Sequence, residues 1–236
     1  MKILAIIPAR SGSKGLRDKN TKILHGKPLI AWTIERAQKS KYIERLIVST
    51  DSEGIAEVAV EYGAEVPFIR PAELATDEAP GIAPVMHAIE FLEKHEGYKS
   101  DYVLLLQCTS PMRQTFHIDE CIELAAQRTS DSIVSVNELE YPILWNRVID
   151  ENGFLQNFIE YDEKEGYQRQ KIEKVYRLNG SMYISNTEKL KKEKSFLVGN
   201  VRPYIMSKES SVDIDDEFGF RVAEMLLKSQ LQKEIS

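Results

Sequence analysis

Cysteine is scarce: Cys108 and Cys121 are the only two in 236 residues. Their thirteen-residue separation matches no metal-ligand spacing. With no secretory signal ahead of them, both read as reduced, structural thiols, which excludes a disulfide-built fold. Long apolar runs are also missing. The N-terminal run from Lys2 to Ile7 is too short for a signal peptide or a membrane span. Positive charge is not in excess: 31 Lys and Arg stand against 37 Asp and Glu, a net charge of −6. That balance argues against a general nucleic-acid or membrane-surface binder. There is no internal repeat and no low-complexity segment. What remains is one large α/β domain over residues 1–236, long enough to bury a core and expected to be cytoplasmic.

Against this acidic background one stretch is basic. Between Arg10 and Lys22 there are five Lys or Arg (10, 14, 17, 19, 22) and one acid, Asp18, a local balance of +4. The preceding run, Lys2 to Ile7, reads as a buried strand that Pro8 ends. Gly12 and Gly15 allow tight turns and close approach of backbone N–H groups to a ligand. A strand running into a small, basic loop is suited to holding a polyphosphate. The spacing is neither GxGxxG nor GxxxxGK[ST]. On residue types alone, a surface loop with solvated charges remains open.

Further along, helical and strand patterns alternate. A helix follows Pro28, Leu46–Ser49 reads as a strand, and a helix capped by Asp51 or Ser52 runs to Tyr62 before Gly63. Val66–Ile69 reads as a third strand. This β-α-β-α-β order predicts a mostly parallel sheet with helices on both faces, and ligands beyond the carboxyl ends of its strands. Arg70 leaves the third strand, where it either pairs with Glu73 or Asp77 or touches a nucleotide. His87 falls on a helix from Pro84 to Lys94 and reads as an ordinary helix-face histidine. Asp101–Leu106 is the most hydrophobic strand, followed at once by Gln107. The Gln107 amide can close the strand end or read a pyrimidine edge. Arg113 reads as a structural partner. Thr115 is expected to cap a helix running to Gln127, and Asp131–Val136 to form another strand. Residues 137–174 are long, polar and aromatic, with Asn152-Gly153 placed as a hairpin turn. Strand character returns at 177–184 and 201–206.

Asp213 and Asp215 are two residues apart. If extended, they share one face while Val212 and Ile214 point into the core. Two such carboxylates repel unless a cation sits between them, and hard oxygen ligands beside a phosphate substrate suit magnesium. A cap cluster for the C-terminal helix is the competing reading, with Asp216 as the cap.

The string IPARSGSKGLRDKN closely resembles the signature of the cytidylyltransferases that activate nine-carbon keto-sugar acids: the N-acylneuraminate enzymes and their legionaminate and pseudaminate relatives. The resemblance extends through RPAELATD, LLQCTSPMR, NGSMY and VDID, from about residue 1 to 225. It implies a Rossmann-like three-layer α/β/α nucleotidyltransferase fold with an extended arm, and a reaction in which CTP and a 2-keto sugar acid give the CMP-sugar and pyrophosphate. By resemblance, Arg10, Ser13, Lys14, Lys19, Asn20, Arg70, Gly81 and Gln107 contact CTP. Gln107, Arg169, Arg177, Asn179 and Tyr183 face the sugar. Asp213 and Asp215 hold Mg²⁺, and Arg10 and Lys14 act with them in catalysis. The arm, 137–174, is expected to make a homodimer and to help form the partner's sugar pocket.

The chain departs from the pattern at three places. Pro80 and Gly81 replace hydroxyl residues, and Cys108 and Met112 replace a proline and a leucine. Leu144 stands where sialic acid enzymes often have lysine, which favours a deoxygenated sugar such as legionaminic acid. An eight-carbon keto acid or a sugar 1-phosphate is an alternative substrate. A nucleotide-binding module without catalysis is the non-enzyme alternative.

Overall fold

The computed structural model describes residues 1–12, 15–160 and 173–235. The strands of its central sheet are β1 (Ile3–Pro8), β4 (Ile43–Ser49), β5 (Tyr102–Leu106), β6 (Ser132–Glu138), β9 (Tyr176–Asn186) and β10 (Val201–Ile205). Two short hairpins lie outside it: β2 (Ile23–Leu24) with β3 (Lys27–Pro28), and β7 (Arg147–Ile149) with β8 (Leu155–Asn157). The helices are α1 (Leu29–Gln38), α2 (Glu53–Glu61), α3 (Ala83–Glu96), α4 (Thr115–Ala126), α5 (Thr187–Glu193) and α6 (Glu217–Ile235).

The sheet order is β10-β6-β9-β5-β1-β4. β1 runs parallel to β4 and β5, and β10 runs parallel to β6. β9 alone is antiparallel, to both β5 and β6. The five parallel strands therefore end on one edge, and the loops leaving them share that edge.

Both faces of the sheet are covered, which is why β1 and β5 are apolar at every position rather than alternating. Ile3, Ala5 and Ile7 pack with Ile30 and Ile34 of α1 and Ile118 and Cys121 of α4. Leu4 and Ile6 face the other way, onto Val85, Ile89 and Leu92 of α3 and Leu190 of α5. A third, smaller core joins Leu16, just after the basic turn, to Met112, Ile214 and the Phe220–Leu227 stripe of α6. That cluster ties the two ends of the chain together.

Two local expectations are corrected, and a choice between two caps is decided. Val66–Ile69 does not form a regular strand; from Glu65 to Ile69 the backbone pairs with β4 and its extension only through isolated bridges at Ile47–Glu65 and Thr50–Ile69. Pro67 has no N–H to donate to a ladder there. α4 is capped by Gln114 and not Thr115, in a reciprocal arrangement with His117. Ser52 caps α2 through Ile55 N, leaving Asp51 for another task. The turn at Asn152-Gly153 joins β7 to β8, with Gly153 at φ 84°.

Candidate active site

The carboxyl end of β1 opens into a cavity of about 380 Å³, within the range of small-ligand sites. Arg10, Gly15, Lys19 and Asn20 line it from the basic loop; Gln107, Cys108 and Thr109 line it from the end of β5. Asp215 lines it from the segment before α6. Residues almost two hundred positions apart thus meet in one cleft.

Local bonds explain the placement. Asn20 is buried, and its amide donates to the Arg10 carbonyl at 2.9 Å, closing the loop on itself. The Lys19 ammonium donates to the Ile214 carbonyl at 2.8 Å and lies 3.4 Å from the Asp215 carboxylate. The Ile214 amide donates to Thr109 O at 2.9 Å. Ile214 is fully buried, while Asp213 and Asp215 are exposed on the opposite side. This is the alternation expected for an extended DID segment. Asp216 donates nothing to the cleft; its carboxylate accepts from Gly219 N at 2.8 Å and starts α6.

Asp213 is the electrostatically strained member of the pair. Burial raises its pKa, and the charge of Asp215 adds to the rise. A hydrogen bond from Thr109 and the charges of Lys19 and Arg177 oppose it without cancelling it. Its carboxyl is accessible to solvent yet flanked by protein, and it is harder to ionise alone than with a cation beside it.

Around the loop the ion pairs differ from the sequence expectation. Arg10 donates to Asp77 at 2.6 Å and to Ala75 O at 3.2 Å. Arg70 pairs instead with Asp51, at 3.5 Å; it is buried and does not line the cleft. Asp51 also accepts from Ser11 N at 2.9 Å and from Ser11 Oγ at 2.5 Å. Burial pulls the Asp51 pKa upward, but the Ser11 bonds and Arg70 outweigh it and hold the carboxyl below its usual value. Asp51 was readable only as a cap; its position at the carboxyl end of β4, level with the loop after β1, was the available signal.

Gln107 faces the cleft, and among the described residues its side-chain amide is left for a ligand. Its backbone is fixed instead. The Gln107 carbonyl accepts from Arg113, whose guanidinium also donates to Ser181 O at 2.7 Å and Thr33 Oγ at 2.9 Å. Arg113 is fully buried, and its pKa is lowered to about 10 by that burial. Burial also pushes the Cys108 thiol up to about 12, which makes it a packing group and not a nucleophile.

The sugar-facing candidates divide. Arg177 lines a second cavity of about 680 Å³ at the base of the β7–β8 arm, with Tyr141, Val148, Phe158 and Lys208. It donates through Nε to Asn137 at 3.1 Å. Tyr183 is half-buried against Phe196, and burial followed by the Asp213 charge raises its pKa. Asn179 is buried and its amide is engaged within the protein: Oδ1 accepts from Ser135 and Ser181 N, and Nδ2 donates to Ser211. In that state it organises strand β9 instead of projecting into either cavity. Gly81 is exposed in the turn before α3 and lines neither cavity. Ser13, Lys14 and Arg169 lie outside the described residues.

A family model described as cytidylyltransferase matches residues 4–211. The chain is 40% identical, over 229 residues and 97% of both chains, to a CMP-N,N'-diacetyllegionaminic acid synthase of Legionella pneumophila. It is 40% identical over 235 residues to an N-acylneuraminate cytidylyltransferase of Escherichia coli, covering 99% of this chain and 54% of that longer one. A pseudaminic acid cytidylyltransferase of Campylobacter jejuni is 34% identical over 97% of both chains. Among solved structures, a CMP:2-keto-3-deoxy-manno-octonic acid synthetase complexed with CTP matches with a TM-score of 0.70. Its identity is 15%, with 98% of this chain and 100% of that one covered. At that identity the likeness is one of fold.

Proposed function

This chain belongs to the cytidylyltransferase family, and from that premise we propose that it transfers CMP from CTP to a nine-carbon 2-keto sugar acid. The anomeric hydroxyl oxygen of the sugar attacks the α-phosphorus in line. The bond from that phosphorus to the β-phosphate oxygen breaks, pyrophosphate leaves, and the hydroxyl proton is lost to the surroundings. The observation that carries the reading is the meeting of the basic loop with Asp215 in a single cleft, where Lys19 is bonded to the backbone of the Asp213-Ile214-Asp215 segment.

Each group has a role in this scheme. Lys14, Lys19 and Arg10 neutralise the triphosphate, with Ser13 and the loop amides as donors. Arg10 must exchange Asp77 for phosphate to do so. Gln107 reads the pyrimidine edge, and Asn20 holds the loop closed. Arg70 acts through Asp51 and Ser11.

The acid pair suits a hard divalent cation: two carboxylates flank buried Ile214, and Asp213 is raised first by burial and then by the charge of Asp215. Asp213 and Asp215 would hold Mg²⁺, and the ion would supply charge neutralisation at the phosphates.

The cavity at the base of the arm suits the sugar. Arg177 offers a guanidinium for the carboxylate, and Tyr141, Val148 and Phe158 offer an apolar wall. Together with Leu144 this favours a legionaminate-type sugar with a methyl end over sialic acid. The arm leaves Ile149 72%, Phe154 67% and Leu155 69% exposed. Such a patch is in keeping with a homodimer in which arms pair, each bringing Arg169 to the partner's sugar. A cytoplasmic location follows from the need for CTP.

Pyrophosphate release tests the reading, with CTP, Mg²⁺ and a panel of keto-sugar acids. Release is expected with nine-carbon acids, fastest with a legionaminic acid. Release with none of the panel would leave a nucleotide-binding module; release with sialic acid alone would overturn the role given to Leu144.

A further inference from the structure

The segment Asp213-Ile214-Asp215 is seated between two glycines, and we infer that Gly15 and Gly219 are positioning residues that set where the acid pair stands relative to the triphosphate loop. This inference rests on the proposed role of the acid pair in holding a divalent cation.

The two glycines of the basic loop have different reasons to be glycine. Gly12 has φ 67°, a left-handed backbone that favours glycine, and a Cβ there would meet nothing within 4 Å. Gly15 has no positive φ. A Cβ on Gly15 would instead run into the carbonyl oxygen of Asp215. Its missing side chain serves close approach, and what it approaches is the backbone of the acid pair.

Gly219 repeats the arrangement from the other side. It sits in the first turn of α6, where alanine would be the better helix former. A Cβ there would lie 2.7 Å from the Asp213 carbonyl oxygen and 3.4 Å from Ile214 Cα. Between these seats the segment has no slack. Ile214 N is bonded to Thr109, Ile214 O is bonded to Lys19, and the Ile214 side chain is buried. Pushing either carbonyl away must therefore carry a carboxylate with it. Mg²⁺ tolerates little displacement, because it demands near-octahedral geometry at about 2.0–2.1 Å.

The test uses Gly15→Ala and Gly219→Ala in the full chain. It measures Mn²⁺ binding by electron paramagnetic resonance in the presence of CTP, CTP binding without metal by calorimetry, and Tm. For Gly219→Ala we expect Mn²⁺ affinity to fall about tenfold or more while metal-free CTP affinity stays within about twofold, since Gly219 does not line the cleft. Tm should fall, although helix propensity alone would raise it. For Gly15→Ala both affinities should fall, that for Mn²⁺ more. Should Gly219→Ala fail to fold, Gly15→Ala in its surface loop carries the test. Mn²⁺ affinity equal to wild type in either variant overturns the assignment at that position. An Asp215→Asn control separates the two levels. Unchanged Mn²⁺ binding in that control would remove the cation site itself; a large loss there, with both glycine variants normal, would remove only the glycines' role.

Discussion

A carboxylate facing another carboxylate resists ionisation, and Asp213 feels this on top of its burial. Its folded pKa lies above the unfolded value. The folded state therefore holds the proton more tightly, and stability is lost as pH rises through the folded pKa. Near neutral pH and without metal, Asp213→Asn should melt no lower than wild type. The difference should fade below the usual aspartate pKa of about 3.9. With CTP already bound, added Mg²⁺ should raise the Tm of wild type further and not that of the variant, which differential scanning fluorimetry can follow. Asp215→Asn should lower kcat on the order of 10²–10³-fold, the scale of losing one electrostatic stabiliser of the transition state, with circular dichroism unchanged. Arg113 acts differently. It has no carboxylate partner among the described residues, and it donates to two carbonyls and two hydroxyls. Arg113→Met should cost about 2–4 kcal/mol in urea unfolding, because charged hydrogen bonds are lost and acceptors are left buried.

At the scale of elements, most of the layout was legible because its signals are local. Strands β1 and β5 announce themselves as unbroken apolar runs, and the helices by period and caps. The Asn152-Gly153 turn was visible for the same reason. The segment at 66–69 was not: its apolar residues pack beside β4, but Pro67 breaks the ladder that composition suggested. Lys19 and Asn20, Gln107, and Asp215, singled out from separate motifs, line one cleft. Partner choice was the illegible part. Arg70 and Asp51, or Arg10 and Asp77, lie 19 and 67 residues apart, and only the parallel stacking of β1 beside β4 decides which meets which. Asn179 looked like a sugar ligand by motif and is spent on Ser135, on the neighbouring strand β6, and on Ser211. Gln107→Ala tests the loop after β5. It should narrow the preference for CTP over UTP by about 10-fold or more, a loss typical of an unpaired polar edge. Competition between the two nucleotides for pyrophosphate release gives the ratio.

At the scale of the whole molecule, the small core of Leu16, Met112, Ile214 and Phe220 makes the first and last quarters of the chain one structural unit. The proposed pairing of arms belongs to this scale as well. Leu155→Glu should shift sedimentation toward the monomer and raise the KM for the sugar acid, with CTP affinity held within about twofold, since Leu155 is remote from the CTP cleft.

Strand β9 runs against its neighbours, and Leu139 N meets Val175 O at 2.9 Å, so the excursion between β6 and β9 departs and returns at adjoining points. Such a graft point lets evolution rewrite the excursion, in length or in chemistry, without re-registering a single central strand. On the proposed function, the acceptor site would then diversify while the rest of the sheet is inherited intact.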